Sequence, residues 1–197
     1  DVRVFNSRAS VGVRGIKLNG DDKVVSMSIL RHFDATSDER SAYLKMRRAV
    51  AGLADDADTP AEDEEVNANA TISQERYAQM SAAENLLLTI SEKGSGKLSS
   101  SHDYPVRGRG GLGVAAMDRA MRGGDIVASF PVELDDQIML ATSKGQSIRV
   151  PVEGISFRSR SAGGVKVFDT GRGEVVVSVA RIADQGDATV ETDADDA

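Results

Sequence analysis

The chain has 197 residues, with 24 Lys+Arg against 31 Asp+Glu for a formal net charge of −7, two histidines and no cysteine. That length suits one domain, or one domain with attachments, and the lack of cysteine excludes disulfide scaffolds, thiolate metal centres and thiol nucleophiles. His32 and His102 are too far apart in sequence to suggest a histidine-rich metal centre, no apolar run approaches a membrane span, and no secretory leader is legible.

Residues 1–30 carry a net charge of +2 and begin in what reads as mid-strand sequence, so we expect a fragment of a larger cytoplasmic protein. Residues 31–85 carry −6 and read as helical. Thr36 and Glu39 have capping-box spacing, and Tyr43, Met46, Val50 and Leu53 follow at helical intervals. Residues 55–70 are acidic, contain Pro60 and predict a flexible linker. A second box, Thr71 to Gln74, precedes Tyr77 and Met80 on one helical face. Two helices joined by an acidic loop are therefore expected, their apolar stripes packed on each other or on the neighbouring domain. Residues 86–183 carry +3 and are rich in short β-branched or apolar runs: 86–90, 126–130, 137–142, 147–150 and 174–179. Gly, Asp or Lys-Gly punctuation separates these runs, which predicts an all-β domain interrupted by the helical segment. Residues 184–197 hold six acidic and no basic side chains and almost no large apolar one, so a disordered acidic tail is expected.

An internal repeat organises the β part. Ser91-Glu-Lys-Gly94 matches Thr142-Ser-Lys-Gly145, Arg109 and Gly113-Val114 match Arg160 and Gly164-Val165, and Gly124-Asp-Ile-Val-Ala-Ser129 matches Gly173-Glu-Val-Val-Val-Ser178. A third, partial copy lies at the start: Phe5-Asn-Ser-Arg8 and Gly12-Val13 match Phe157-Arg-Ser-Arg160 and Gly164-Val165. A unit of about 50 residues with four short strands is the signature of propeller-like blades. The expected organisation is the second half of a blade at 1–30, a helical insertion at 31–85, blades at 86–133 and 134–183, and the tail at 184–197.

Candidate chemistry is sparse. Gly108-Arg-Gly110-Gly-Leu-Gly113 satisfies G-x-G-x-x-G but lacks the strand before and helix after that a dinucleotide site needs. His102 beside Asp103 and three serines is adjacency in sequence, which is not triad geometry. Asp135-Asp136 could hold a metal, although aspartate in a hairpin turn is the commoner role. The repeated cations say more. Arg107 and Arg109 recur as Arg158 and Arg160, with Arg8 at the second place in the first unit. Lys93 and Lys97 recur as Lys144 and Arg149 on the first hairpin; Arg119 and Arg122 precede a strand, and Arg14 and Lys17 follow Gly12. A cation repeated in each blade projects onto one rim, which suits the phosphates of bent duplex DNA. Loop solubilisation accounts for the same pattern.

Several strings resemble the C-terminal domain of the DNA gyrase A subunit, within the type IIA topoisomerases. They are Gly12-Val-Arg-Gly-Ile-Lys-Leu18, Asp22-Lys-Val-Val-Ser26, residues 88–97, Tyr104-Pro-Val-Arg107, Asp136-Gln-Ile-Met139 and Ser161-Ala-Gly-Gly-Val165. The resemblance covers 1–30 and 86–183, and the topoisomerase IV counterpart is its nearest competitor. It implies an all-β fold, a six-bladed β-pinwheel of which this chain holds the last blades. It also implies a non-catalytic module that wraps duplex DNA around a basic rim, so that ATP-driven strand passage introduces negative supercoils. The implied assembly has two A and two B subunits. ATP and Mg²⁺ are used through the B subunit, and no cofactor is expected on this chain. The rim role carries over to Arg8, Arg14, Lys17, Lys93, Lys97, Arg107, Arg109, Arg119, Arg122, Lys144, Arg149, Arg158 and Arg160. A protein-interaction propeller, recruiting partners through its acidic insert or tail, is the alternative reading of the same fold. The two acidic segments could also compete with DNA for the rim as an internal polyanion.

Overall fold

The computed structural model describes residues 4–52, 67, 69–118, 120 and 123–183, so the expected acidic tail and most of the acidic linker lie outside the described residues. Among the described residues, two helices and seven strands follow in chain order: α1 (Ser37–Val50), α2 (Gln74–Ala83), β1 (Leu86–Ser91), β2 (Ser95–Ser100), β3 (Ile126–Val132), β4 (Gln137–Thr142), β5 (Ser147–Pro151), β6 (Val165–Lys166) and β7 (Val176–Ile182). A short 3-10 turn, Ser101–Asp103, follows β2. The sequence runs at 86–90, 126–130, 137–142, 147–150 and 174–179 correspond to β1, β3, β4, β5 and β7. β2 lies outside these runs because Ser95-Gly-Lys-Leu-Ser-Ser100 is polar, and it is the second arm of the expected Lys-Gly hairpin; β6, two residues long, is outside them too.

The strands form two antiparallel sheets, ordered β3-β1-β2-β6 and β5-β4-β7. β1 is buried along almost its whole length, as a central strand made of leucine and β-branched residues should be. β4 alternates instead: Ile138, Leu140 and Thr142 are buried while Met139 is exposed, the period-2 pattern of a strand with one wet face. Leu88 faces Leu98 and Phe130, and Leu140 faces Ile148 and Val179. One core joins both sheets: Leu88, Ile90, Leu98, Val132, Ile138, Leu140, Val152, Ile155 and Val176. The repeat extends to its irregularity, since the central strand of each sheet slips register at the matching place, Ile90/Ser91 and Ala141/Thr142.

Sheet and repeat do not coincide. β6 belongs to the second repeat yet pairs with β2 of the first, with Ser95 opposite Lys166 and Gly96 opposite Val165. The preceding segment continues that edge, as Leu98 N donates to Ser156 O and Arg158 N to Leu98 O. The close approach explains a repeated glycine. A Cβ on Gly164 would stand 2.8 Å from Gly96 N and 3.0 Å from Gly96 O, both backbone atoms with no room to yield.

The insertion folds as two helices. α1 starts with the expected capping box: Glu39 N donates to Thr36 Oγ1 and Thr36 N to Glu39 Oε2. Gly52, at φ +69°, takes the left-handed conformation just past its end. α2 corrects the expected Thr71–Gln74 box. Ser73 is the cap, accepting from Arg76 N, because Gln74 is itself the first helical residue and cannot sit three places inside the helix. The predicted stripes converge. The Tyr43 and Tyr77 rings lie 5.1 Å apart, and Tyr43 meets the His102 ring edge-on at 5.0 Å. Phe33 flanks the other side of His102 at 5.7 Å, and His102 Nε2 hydrogen-bonds the Met80 carbonyl. The insertion thus packs on itself and on the turn after β2.

Residues 4–30 hold no strand among the described residues. Val4, Val11, Met27 and Ile29 are each about nine-tenths exposed. This segment joins the rest through isolated bonds, such as Ser26 Oγ to Ser129 O. An extended chain without sheet neighbours on both sides has no ladder to complete.

Two outcomes follow. Gly164→Ala should destabilise the chain by about 1–3 kcal/mol, as overpacking does, in urea denaturation. Burial, reinforced by the Glu84 carboxylate, pushes the Tyr43 phenol up to about 12, above its ordinary 10.0. The fold therefore favours the neutral phenol. Stability from this group is whole below pH 10 and declines as pH rises toward 12. Tyr43→Phe should reduce that alkaline decline in a Tm-versus-pH series, while the ring keeps its packing on Tyr77 and His102.

Candidate nucleic-acid interface

The predicted cations separate into three groups. The first is exposed and drawn together across a repeat boundary. Lys17 N donates to Gly111 O and Gly110 N donates to Gly15 O, so the loop carrying Arg14 and Lys17 is tied to the loop carrying Arg107 and Arg109. All four side chains are exposed. Gly110 and Gly113 have φ of +77° and +75°, and a Cβ on Gly113 would press on Ile16 Cδ1 at 3.2 Å. These glycines therefore serve a sharply turned backbone packed on the partial repeat at the start of the chain. No helix follows Gly113 among residues 114–118, so the G-x-G-x-x-G string lacks the geometry of a phosphate-cradling turn.

The second group is also exposed but dispersed. Arg8 lies in a turn closed by Ser10 N to Ser7 O. Lys93 lies on the β1–β2 turn, its amide bonded to Gly123 O. Lys144 lies on the β4–β5 turn and donates from Nζ to Arg172 O at 2.7 Å, and Arg149 is on β5 opposite Met139. Arg119 and Arg122 lie outside the described residues.

The third group is buried or half-buried, and two of its members correct the sequence reading. Lys97 is 0% exposed, and its Nζ donates to the carbonyls of Ser159, Arg160 and Ala162 at 2.6, 2.7 and 2.6 Å. Arg160 is 2% exposed, donating from Nε to Asp103 O at 2.9 Å and from Nη1 to Ala115 O at 2.6 Å. Its amide also donates to Asp103 Oδ2 at 2.6 Å. Both side chains are committed to backbone carbonyls and cannot face phosphates without unfolding the loop. Arg158, in the same loop, is half-buried, and its Nε has no hydrogen-bond partner among the described residues. One sequence signal could have flagged Lys97. In the Lys-Gly alignment its counterpart is Ile148, so the charge is not repeated.

The remaining candidates are structural. His102 is held in the aromatic cluster, away from any serine-nucleophile geometry. Burial raises the Asp103 carboxyl, against the opposing pull of the Arg160 amide and charge. The adjacent Tyr104 phenol is likewise raised by burial, its hydroxyl against Ser99 Oγ. Asp136 caps its hairpin turn by accepting from Glu133 N and pairs with Arg181 at 2.6 Å, a partnership that no local sequence pattern marks. Among the described residues no three acidic or histidine side chains cluster to hold a metal ion.

Comparison with known proteins gives this arrangement a family. The profile described as DNA gyrase C-terminal domain, beta-propeller, matches residues 1–31, 85–130 and 136–183. The chain belongs to this family. The gyrase profile skips the two helices. The DNA gyrase A subunit of Granulibacter bethesdensis is 46% identical over 187 residues, covering 90% of this chain and 20% of the relative. That of Rickettsia bellii is 37% identical over 189 residues, covering 94% and 20%. Alignments of that extent necessarily enter the insertion. The chain spans about 20% of the length of these relatives. A solved DNA gyrase A C-terminal domain superposes with a TM-score of 0.47 at 25% identity, covering 51% of this chain and 34% of that one. No helix among the described residues is long and apolar enough to cross a membrane.

Lys97→Met should destabilise the chain by about 3 kcal/mol in urea denaturation, because it strands buried carbonyls that accept charged hydrogen bonds. Arg14→Glu with Arg109→Glu should stay within about 0.5 kcal/mol of the parent, as exposed substitutions do.

Proposed function

We propose that this chain is the non-catalytic DNA-binding and DNA-wrapping part of a gyrase A subunit. It bends duplex DNA along its exposed cations, so that ATP-dependent strand passage elsewhere in the enzyme introduces negative supercoils. The observation that carries this reading is the tie between residues 15–17 and 110–111, which gathers Arg14, Lys17, Arg107 and Arg109 from two consecutive repeats onto one exposed loop pair. Spaced cations of this kind neutralise backbone phosphates and release counterions, which binds DNA without reading its sequence. Lys93, Lys144 and Arg149, with Arg8 and the half-buried Arg158, would extend the track. Arg119 and Arg122 stay in the proposal on sequence position alone. In this reading the partners are duplex DNA and, in an A2B2 enzyme of the cytoplasm, a second A subunit with the B subunits. ATP and Mg²⁺ act through the B subunit, and the nucleophile for strand cleavage lies outside this chain.

The test is binding of the intact chain to a random-sequence duplex as a function of salt. Affinity should fall steeply and log-linearly with salt and be indifferent to sequence. Charge reversal of Arg14, Lys17, Arg107 and Arg109 together should lower the magnitude of the salt slope by about three to four, near 0.9 for each phosphate no longer neutralised. A parent chain that binds no DNA, or binds with no salt dependence, would overturn the proposal.

A further inference from the structure

The helices of the insertion reach the second repeat at the start of the arginine loop. The Arg47 guanidinium lies over the Phe157 ring with Cζ 3.6 Å from its centroid. Along its edge, Arg47 Nε pairs with Glu84 Oε2 at 2.9 Å. The cation thus holds a carboxylate just past the end of α2 in its plane and an aromatic ring on its face, in a largely buried setting that strengthens cation–π attraction. Phe157 immediately precedes Arg158, and the loop 157–162 continues through Arg160 and the carbonyls that Lys97 holds.

A second, separate route joins the same two elements. His102 is enclosed by Phe33 and Tyr43 and bonded to the Met80 carbonyl, all three from the insertion. The next residue, Asp103, accepts from the Arg160 amide on its carboxylate and from Arg160 Nε on its carbonyl. One three-residue turn therefore has a residue seated in the insertion and a residue gripping the loop. Asn85 reinforces that turn from the insertion's end, its amide donating to Ser101 Oγ and its carbonyl accepting from Ser101 N.

We propose that the helical insertion is a clamp that positions the arginine loop 157–162 for DNA, with Arg47 as its positioning residue. Arg47 acts on the loop through Phe157 and is not itself assigned a phosphate. The inference rests on the DNA-binding reading for its purpose and on the two contacts for its mechanism. It gives the insertion a role within the blades rather than toward an outside partner.

The experiment combines amide hydrogen exchange with DNA titration on the intact chain. Arg47→Met with Glu84→Gln removes the cation without leaving a buried unpaired carboxylate. Exchange of amides 157–162 should rise at least tenfold while the β4–β5 hairpin stays as in the parent. Affinity for a random-sequence duplex should fall about three- to tenfold, with the salt slope reduced by about one as Arg158 loses its place. Phe157→Leu, which leaves the ion pair intact, should reproduce the local exchange change if the double variant melts as a whole. Lys45→Gln removes an exposed cation from the same helix away from Phe157 and should alter neither readout. Parent-like exchange at 157–162 in both clamp variants would overturn the proposal, and so would an equal affinity loss from Lys45→Gln, which would make helix charge the cause. If the parent binds no DNA, the functional reading fails, while the exchange data still decide the clamp.

Discussion

Lys97 places a full positive charge where no water reaches it, and three carbonyls of the neighbouring repeat take the place of the water. A buried ammonium is costly unless all its protons are accepted, and here the Ser159, Arg160 and Ala162 carbonyls accept them at 2.6–2.7 Å. Those carbonyls come from a loop with no regular structure of its own. Without the lysine it would face the opposite problem of buried acceptors lacking donors. The two defects cancel only when β2 of one repeat and the loop of the next are docked. The side chain therefore makes separate folding of the two repeats unfavourable, and β6 and the Phe157 segment can continue the edge of β2 because this docking holds them there.

The same constraint explains why neighbouring arginines in one short loop have different fates. Arg160 is drawn inward by the Asp103 and Ala115 carbonyls, and Arg158 is left half-exposed beside it. In the preceding repeat, Arg107 and Arg109 remain exposed, because the loop they occupy is tied to residues 15–17 by backbone bonds rather than by a central ammonium. Equal positions in a repeat need not be equal sites. What each arginine does depends on what the adjoining unit offers it, and only one of these junctions has a lysine at its centre.

The helical insertion fits this scheme without disturbing it. It enters between repeats and returns to the blades through the turn after β2 and through Phe157. Both contacts reach the loop that Lys97 already holds. The aromatic cluster of Phe33, Tyr43, Tyr77 and His102 supplies the burial that makes these helices a stable body. The contact of Arg47 with Phe157 then seats that body on the blade.

Much of this was legible in the chain. The 51-residue offset between Ser91-Glu-Lys-Gly94 and Thr142-Ser-Lys-Gly145 marks two like sheets, and β-branched runs mark five of seven strands, because burial on a pleated sheet selects those residue types. Thr36 and Glu39 announce the start of α1 because a capping box is a local device, complete within four residues. What the sequence could not decide was every feature made between distant segments. The polar β2 is a strand because it lies between β1 and a strand from the next repeat. Lys97 and Arg160 look like surface cations because lysine and arginine usually are, and nothing local reveals three carbonyls waiting some sixty residues away. Local sequence determined the repeat, the helices and the stock of positive charge. Only the docking of one repeat on the next decided which charges hold the fold together and which stay on the surface to meet a polyanion, since burial and hydrogen-bond satisfaction belong to the assembled structure.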